Sequence, residues 1–184
     1  GVDNTLIGDN AGTALTEGSN NVAIGNEALA SNTTGSRNVA IGYASLDAAT
    51  TAVNNTAVGN SSLSANTSGT SNAAFGRNAM LANTEGSNNT AIGMGALDAN
   101  TTADHNTALG LQALGANTTG EYNIGIGSYS LYDNTTGGSN VSIGYNTLAN
   151  NTTASNNTAV GYLALTTNTT GADNTAVGKT ALNS

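Results

Sequence analysis

The segment Asn89-Thr90-Ala91-Ile92-Gly93-Met94-Gly95-Ala96-Leu97-Asp98-Ala99-Asn100-Thr101-Thr102-Ala103-Asp104-His105 is followed at once by Asn106-Thr107-Ala108-Leu109-Gly110, where the same pattern begins again. Working outward from it, the pattern opens at Asn4, Asn21, Asn38, Asn55, Asn72, Asn89, Asn106, Asn123, Asn140, Asn157 and Asn174, always 17 residues apart and without insertion or deletion. Residues 1–184 therefore read as a single repeat array. Counted from the leading Asn, the consensus is N-T-A-[IV]-G-x-x-A-L-x-x-N-T-T-G-x-x. A spacing this strict means that each unit stacks on its neighbours, because one extra residue would throw the next coil out of register.

A 17-residue unit could hold a helix of about two turns, but Gly, Asn and Thr are poor helix formers. Ile at position 4 and Leu at position 9 give no continuing helical stripe. Two short extended segments fit better, positions 1–4 and roughly 8–10, separated by turns after the position-5 Gly and at N-T-T-G. The fold expected is all-β, a parallel β-solenoid of 17-residue coils and about eleven rungs. At ~4.8 Å per rung the rod would be on the order of 50 Å long.

Each column of the repeat carries its own expectation. Position 5 is Gly in all eleven copies, from Gly8 to Gly178, which calls for a positive φ or a contact too close for a Cβ. Position 15 is Gly eight times but Ala at Ala52, Ala103 and Ala154, so it needs a small residue and not a left-handed one. Positions 4 and 9 are expected to form the core. The small residues at positions 3 and 8 imply walls that approach closely around a thin interior. Asn at position 1 is invariant, and Asn at position 12 recurs in eight of ten full repeats, so stacked amides should hydrogen-bond along the rod and to the turns. The N-x-S/T sequons at Asn32, Asn66, Asn100, Asn117, Asn134, Asn151 and Asn168 fall out of the repeat itself and argue weakly for glycosylation. The first repeat is irregular, with Gly12 at position 9 and Leu15 at position 12, as expected of a boundary repeat.

Composition narrows the function. Leu, Ile, Val and Phe make up 31 of 184 residues, yet charged residues are only 8%, so regular order or partner subunits must supply what a large core would. Three Lys+Arg, far apart at Arg37, Arg77 and Lys179, and a net charge of −8 argue against nucleic acid as a partner. No stretch reaches 18 apolar residues, so this segment is not expected to insert in a membrane. Without cysteine there is no disulfide framework and no thiolate chemistry.

No catalytic, cofactor-binding or metal-binding residue is nominated. His105, the single histidine, holds a position otherwise filled by turn residues. The acidic residues Asp9, Glu27, Asp47, Glu85, Asp98, Glu121 and Asp133 are scattered over several columns, so no acid–base pair recurs. Calcium-binding loop patterns are missing from the sequence. Exposed tyrosines are the candidate contacts for a glycan or partner: Tyr43, Tyr145 and Tyr162 share position 6, while Tyr122, Tyr129 and Tyr132 gather around repeats seven and eight.

The segments Asn21-Val-Ala-Ile-Gly25, Asn38-Val-Ala-Ile-Gly42 and Asn140-Val-Ser-Ile-Gly144 resemble the N-[ST]-V-A-I-G repeat of YadA-like heads in trimeric autotransporter adhesins. The longer consensus is similar to repeats of tail-fibre-like proteins that end in an endosialidase-type chaperone domain. The resemblance covers essentially the whole chain, though this unit is longer than the adhesin repeat and neither stalk, anchor nor chaperone domain is present in it. It implies a left-handed roll, a homotrimer and an extracellular role on a cell surface or virion fibre, attaching to a host glycan or protein. The array starts at position 15 and stops at position 11 without polar caps, so it is expected to be a fragment of a longer protein or a unit that stacks head to tail. The leading reading is a structural or adhesive rod without catalysis. Beside it stand a self-assembling filament subunit and an ice-binding solenoid, the latter raised by the unbroken Thr column at position 13.

Overall fold

The computed structural model describes residues 1–183. It is an all-β parallel solenoid of eleven strands in one sheet, β1 (Thr5–Ile7) through β11 (Thr175–Val177), each starting 17 residues after the one before. Every strand pairs with the next in strict 17-residue register, for instance Val39↔Thr56 and Ile41↔Val58. The strand covers positions 2–4 alone, framed by two cross-rung bonds. The position-2 N–H donates to the position-1 carbonyl of the next rung, as from Val22 to Asn38 at 2.8 Å. The position-5 N–H donates to the position-4 carbonyl of the previous rung, as from Gly25 to Ile7 at 2.8 Å.

The second extended segment expected at positions 8–10 is not a strand. Positions 7 and 9 are left-handed in every rung, as are position 17 and, at φ 123–139°, the position-5 Gly. Leu29, Leu46, Leu63, Leu97 and Leu114 at position 9 have φ of 51–54°, a conformation that costs a bulky side chain about 1–2 kcal/mol. Reciprocal closure sustains it. The Leu63 N–H donates to Ala79 O of the next rung at 2.9 Å, and β-turns form on either side, Ala28 N–H to Gly25 O at 3.3 Å and Asn32 N–H to Leu29 O at 3.3 Å.

The interior is thin, as expected, but it is not built from both apolar columns. Leu at position 9 is fully buried from Leu29 to Leu148 and packs on Ala at positions 3 and 8. Position 4 faces outward instead: Phe75, Ile92, Leu109 and Ile143 are 36–41% exposed. Side chains alternate along a strand, so once small Ala23 or Ala40 turns inward at position 3, Ile24 or Ile41 must turn out. The facing walls touch closely enough for buried hydroxyls to bridge them, Ser45 Oγ donating to Ala57 O and Ser62 Oγ to Ala74 O, both at 3.0 Å.

The amide ladders form as expected. Asn38 Nδ2 donates to Asn21 Oδ1 at 3.2 Å, and the Asn38 N–H to the same oxygen at 3.0 Å. Within a coil, Asn21 Nδ2 and Asn32 Nδ2 both reach Gly35 O at 2.9 Å, so the two Asn columns converge on the position-15 carbonyl. The position-12 ladder breaks where Ala49 replaces Asn, and there Asn32 Oδ1 is buried without a partner. Both glycine readings hold. A Cβ on Gly42 would lie 2.5 Å from Gly59 O, whereas the position-15 glycines have no positive φ.

The irregular first repeat is an exchange of volume. Where Gly12 removes the core leucine, Leu6 stands at position 3 in place of Ala, and its Cδ2 would lie 2.8 Å from a Cβ on Gly12.

Candidate functional site

No cavity opens among the described residues, and none of their His, Asp and Glu side chains gather in groups of three that could hold a metal ion. His105 is exposed in a left-handed turn at φ 60° and stacks on Tyr122, with ring centroids 5.0 Å apart and planes 9° apart. Its neighbour Asp104 is engaged elsewhere, Oδ1 accepting the Ser87 N–H at 2.6 Å. The one histidine is thus occupied by packing and the adjacent carboxylate by the backbone. Among the described residues, no helix is long and apolar enough to cross a membrane.

The six tyrosines separate into distinct places. Tyr43 stands alone on position 6, exposed between Asn26 and Asn60. Tyr145 and Tyr162 stack on successive rungs at 5.6 Å and 14°, and Lys179 Nζ sits 6.0 Å from the Tyr162 centroid. Each ring is about half exposed, and the stack covers the face that each turns to the other. The expected cluster in repeats seven and eight divides. Tyr122 belongs with His105, while Tyr129 and Tyr132 form a separate edge-to-face pair at 5.5 Å and 79°.

The sequons resolve sterically. Asn32, Asn66, Asn100, Asn117, Asn134 and Asn151 are fully buried, so the folded coil offers their amides to no modifying enzyme, and Asn168 alone of the seven is partly exposed. The Thr column at position 13 is likewise committed to the fold. Thr33, Thr84 and Thr118 each donate Oγ1–H to the position-13 carbonyl of the next rung, at 3.0–3.1 Å.

What remains is a surface that sequence reading placed inside. Positions 2 and 4 point outward from the sheet over eleven rungs, and no residue in either column is charged. Position 4 runs Ile7, Ile24, Ile41, Val58, Phe75, Ile92, Leu109, Ile126, Ile143, Val160, Val177. Position 2 alternates Thr with Val, Ala and Ile. Bounded by the position-6 side chains, the strip is about 50 Å long and roughly 13 Å wide. Apolar along position 4 and threonine in six of eleven rungs along position 2, an uncharged strip of that size stands at the upper end of what soluble single chains leave to water. The inward small residue at position 3 was the sequence signal for it, because it fixes the direction of its neighbour.

Compared with known proteins, the chain matches no family model, no curated protein and no solved structure.

Proposed function

We propose that this chain is a structural rod of an extracellular fibre, an adhesin head or tail-fibre shaft, assembled from several copies and without catalysis. The observation that carries the reading is the uncharged outer sheet face, which a rod would bury against further copies of itself. Its area is of the same order as the ~800 Å² that each partner gives to a standard interface. A second copy fits better than an ice lattice, because the ring of Phe75 stands 40% exposed in an otherwise aliphatic column and breaks the flatness that ordered water would need. The repeat's likeness to trimeric adhesin heads sets the expected number at three and the expected hand at left. Adhesion to a glycan or protein falls to the exposed rings of Tyr43, Tyr145 and Tyr162.

Light scattering coupled to size exclusion tests this reading. Three chains per particle are expected, falling to one in an Ile41→Lys, Ile92→Lys variant whose circular dichroism keeps the solenoid signature. A wild-type chain that stays single at every concentration would overturn the assembly and return weight to ice binding, read as thermal hysteresis. Large polydisperse rods would point to the filament subunit. Glycan binding lost in Tyr145→Ala, Tyr162→Ala would place the adhesive contact.

A further inference from the structure

We propose that copies dock on the outer sheet face parallel and in register, rung beside like rung, with Phe75 of one copy entering the hollow over Ala73 of the next. This rests on the self-association reading above. The largest side chain in the position-4 column and the smallest in the position-2 column stand on the same strand, β5 (Ala73–Phe75). Phe75 is 40% exposed, and every other position-2 residue is Thr, Val or Ile.

Symmetry turns that coincidence into a docking rule. When copies are related by rotation about an axis along the rod, the position-4 column of one meets the position-2 column of its neighbour at the same height, so a knob and a hole on one strand are complementary. The flanking columns agree. Position 17 of one copy meets position 6 of the next, setting Asp173 beside Lys179 and Arg37 beside the ring of Tyr43, with Asp3 beside Asp9 the single like-charged pair. The antiparallel arrangement, turned about the strand direction, pairs position 4 with position 4 and rung five with rung seven. It sets Asp173 beside Asp3 and Lys179 beside Asp9, one like and one opposite pair as in the parallel arrangement, so the end charges leave the choice to the fit, and there it sets Phe75 on Leu109, bulk against bulk.

The chain is free of cysteine, so engineered thiols report unambiguously. Single variants Ala73→Cys, Phe75→Cys and Leu109→Cys, all at outer positions, are co-refolded in pairs and oxidised. The mixture of 73 with 75 is expected to yield about tenfold more interchain disulfide than the mixture of 75 with 109. The reverse order, equal yields, or no disulfide in a chain that still assembles would overturn the register while leaving self-association intact. A single-chain mass for the wild type would instead remove the assembly itself, and the register with it. A second variant separates fit from stickiness: Ala73→Leu adds apolar area but fills the hollow, so in-register docking requires weaker assembly, by about tenfold in the concentration for half-association. Tighter assembly would contradict the proposal.

Discussion

The columns at positions 4 and 9 are alike in sequence, both runs of large apolar side chains broken only at Gly12, and opposite in place. Position 9 is the core although its backbone is left-handed. Position 4 lies on regular strand and faces water. The difference shows that in a thin solenoid the small residues decide. Ala at positions 3 and 8 defines the interior, and the larger neighbour of each is placed by backbone direction. On the strand that direction is outward. At position 9 the left-handed turn between Gly25 and Asn32, repeated in every coil, carries the leucine back in.

The largest effect should come from the turn that separates the two columns. Gly93 has φ 139°, and a Cβ there would lie 2.4 Å from Gly110 O, backbone against backbone. Gly93→Ala is expected to cost more than about 3 kcal/mol, read as a collapse of the urea midpoint. Gly86→Ala should cost less, because Gly86 has no positive φ and three natural alanines stand at its position, although its Cβ must push Ala103 O and Asn83 Oδ1 back from 2.6 and 2.4 Å. Next comes the direct contrast. Leu97→Ala should lose about 2–5 kcal/mol, whereas Ile92→Ala in dilute single chains should stay within about 1 kcal/mol and instead reduce assembly. Equal losses at the two sites would break the distinction between them.

A smaller effect tests the polar interior. Ala49→Asn should rejoin the position-12 ladder by donating to Asn32 Oδ1, now buried without a partner, and stabilise by about 1–2 kcal/mol in the same melt. The smallest effect sits at position 10, beside the leucine column. Burial pushes the carboxyls of Asp47 and Asp98 above the ordinary 3.8, the first helped by the charge of Glu27 and the second opposed by a hydrogen bond from Gln112. An acid whose pKa is raised by folding binds its proton more readily folded than unfolded, so its contribution to stability grows as pH falls through the raised value toward 3.8. Asp47→Asn and Asp98→Asn should therefore stabilise at neutral pH, by under about 1 kcal/mol since both carboxyls are half-buried and keep part of their surface in water. The gain should vanish below pH 3.8.

The solenoid, its register, the two glycine columns and the amide ladders were legible because each recurs in most or all coils and has one physical cause. The second turn was not. Nothing in Ala-Leu-x-x-Asn announces a left-handed leucine, since isolated leucines avoid that region and only stacked rungs hold them there. The candidate surface was hidden for a related reason: Ile92 and Leu97 score alike as apolar residues, and the sequence separates them only when Ala91 is taken as the inward side chain. The tyrosines were visible as types but not as partners. That Tyr145 uses its face on Tyr162 and Tyr122 on His105 depends on side-chain directions that spacing alone does not carry.

Thiol labelling tests the account most directly, by comparing Ile92→Cys with Leu97→Cys across protein concentration. The thiol at 97 should be protected at every concentration short of unfolding, while the thiol at 92 should react quickly in dilute solution and become protected as copies assemble. Fast labelling at 97, or labelling at 92 that does not change with concentration, would contradict it.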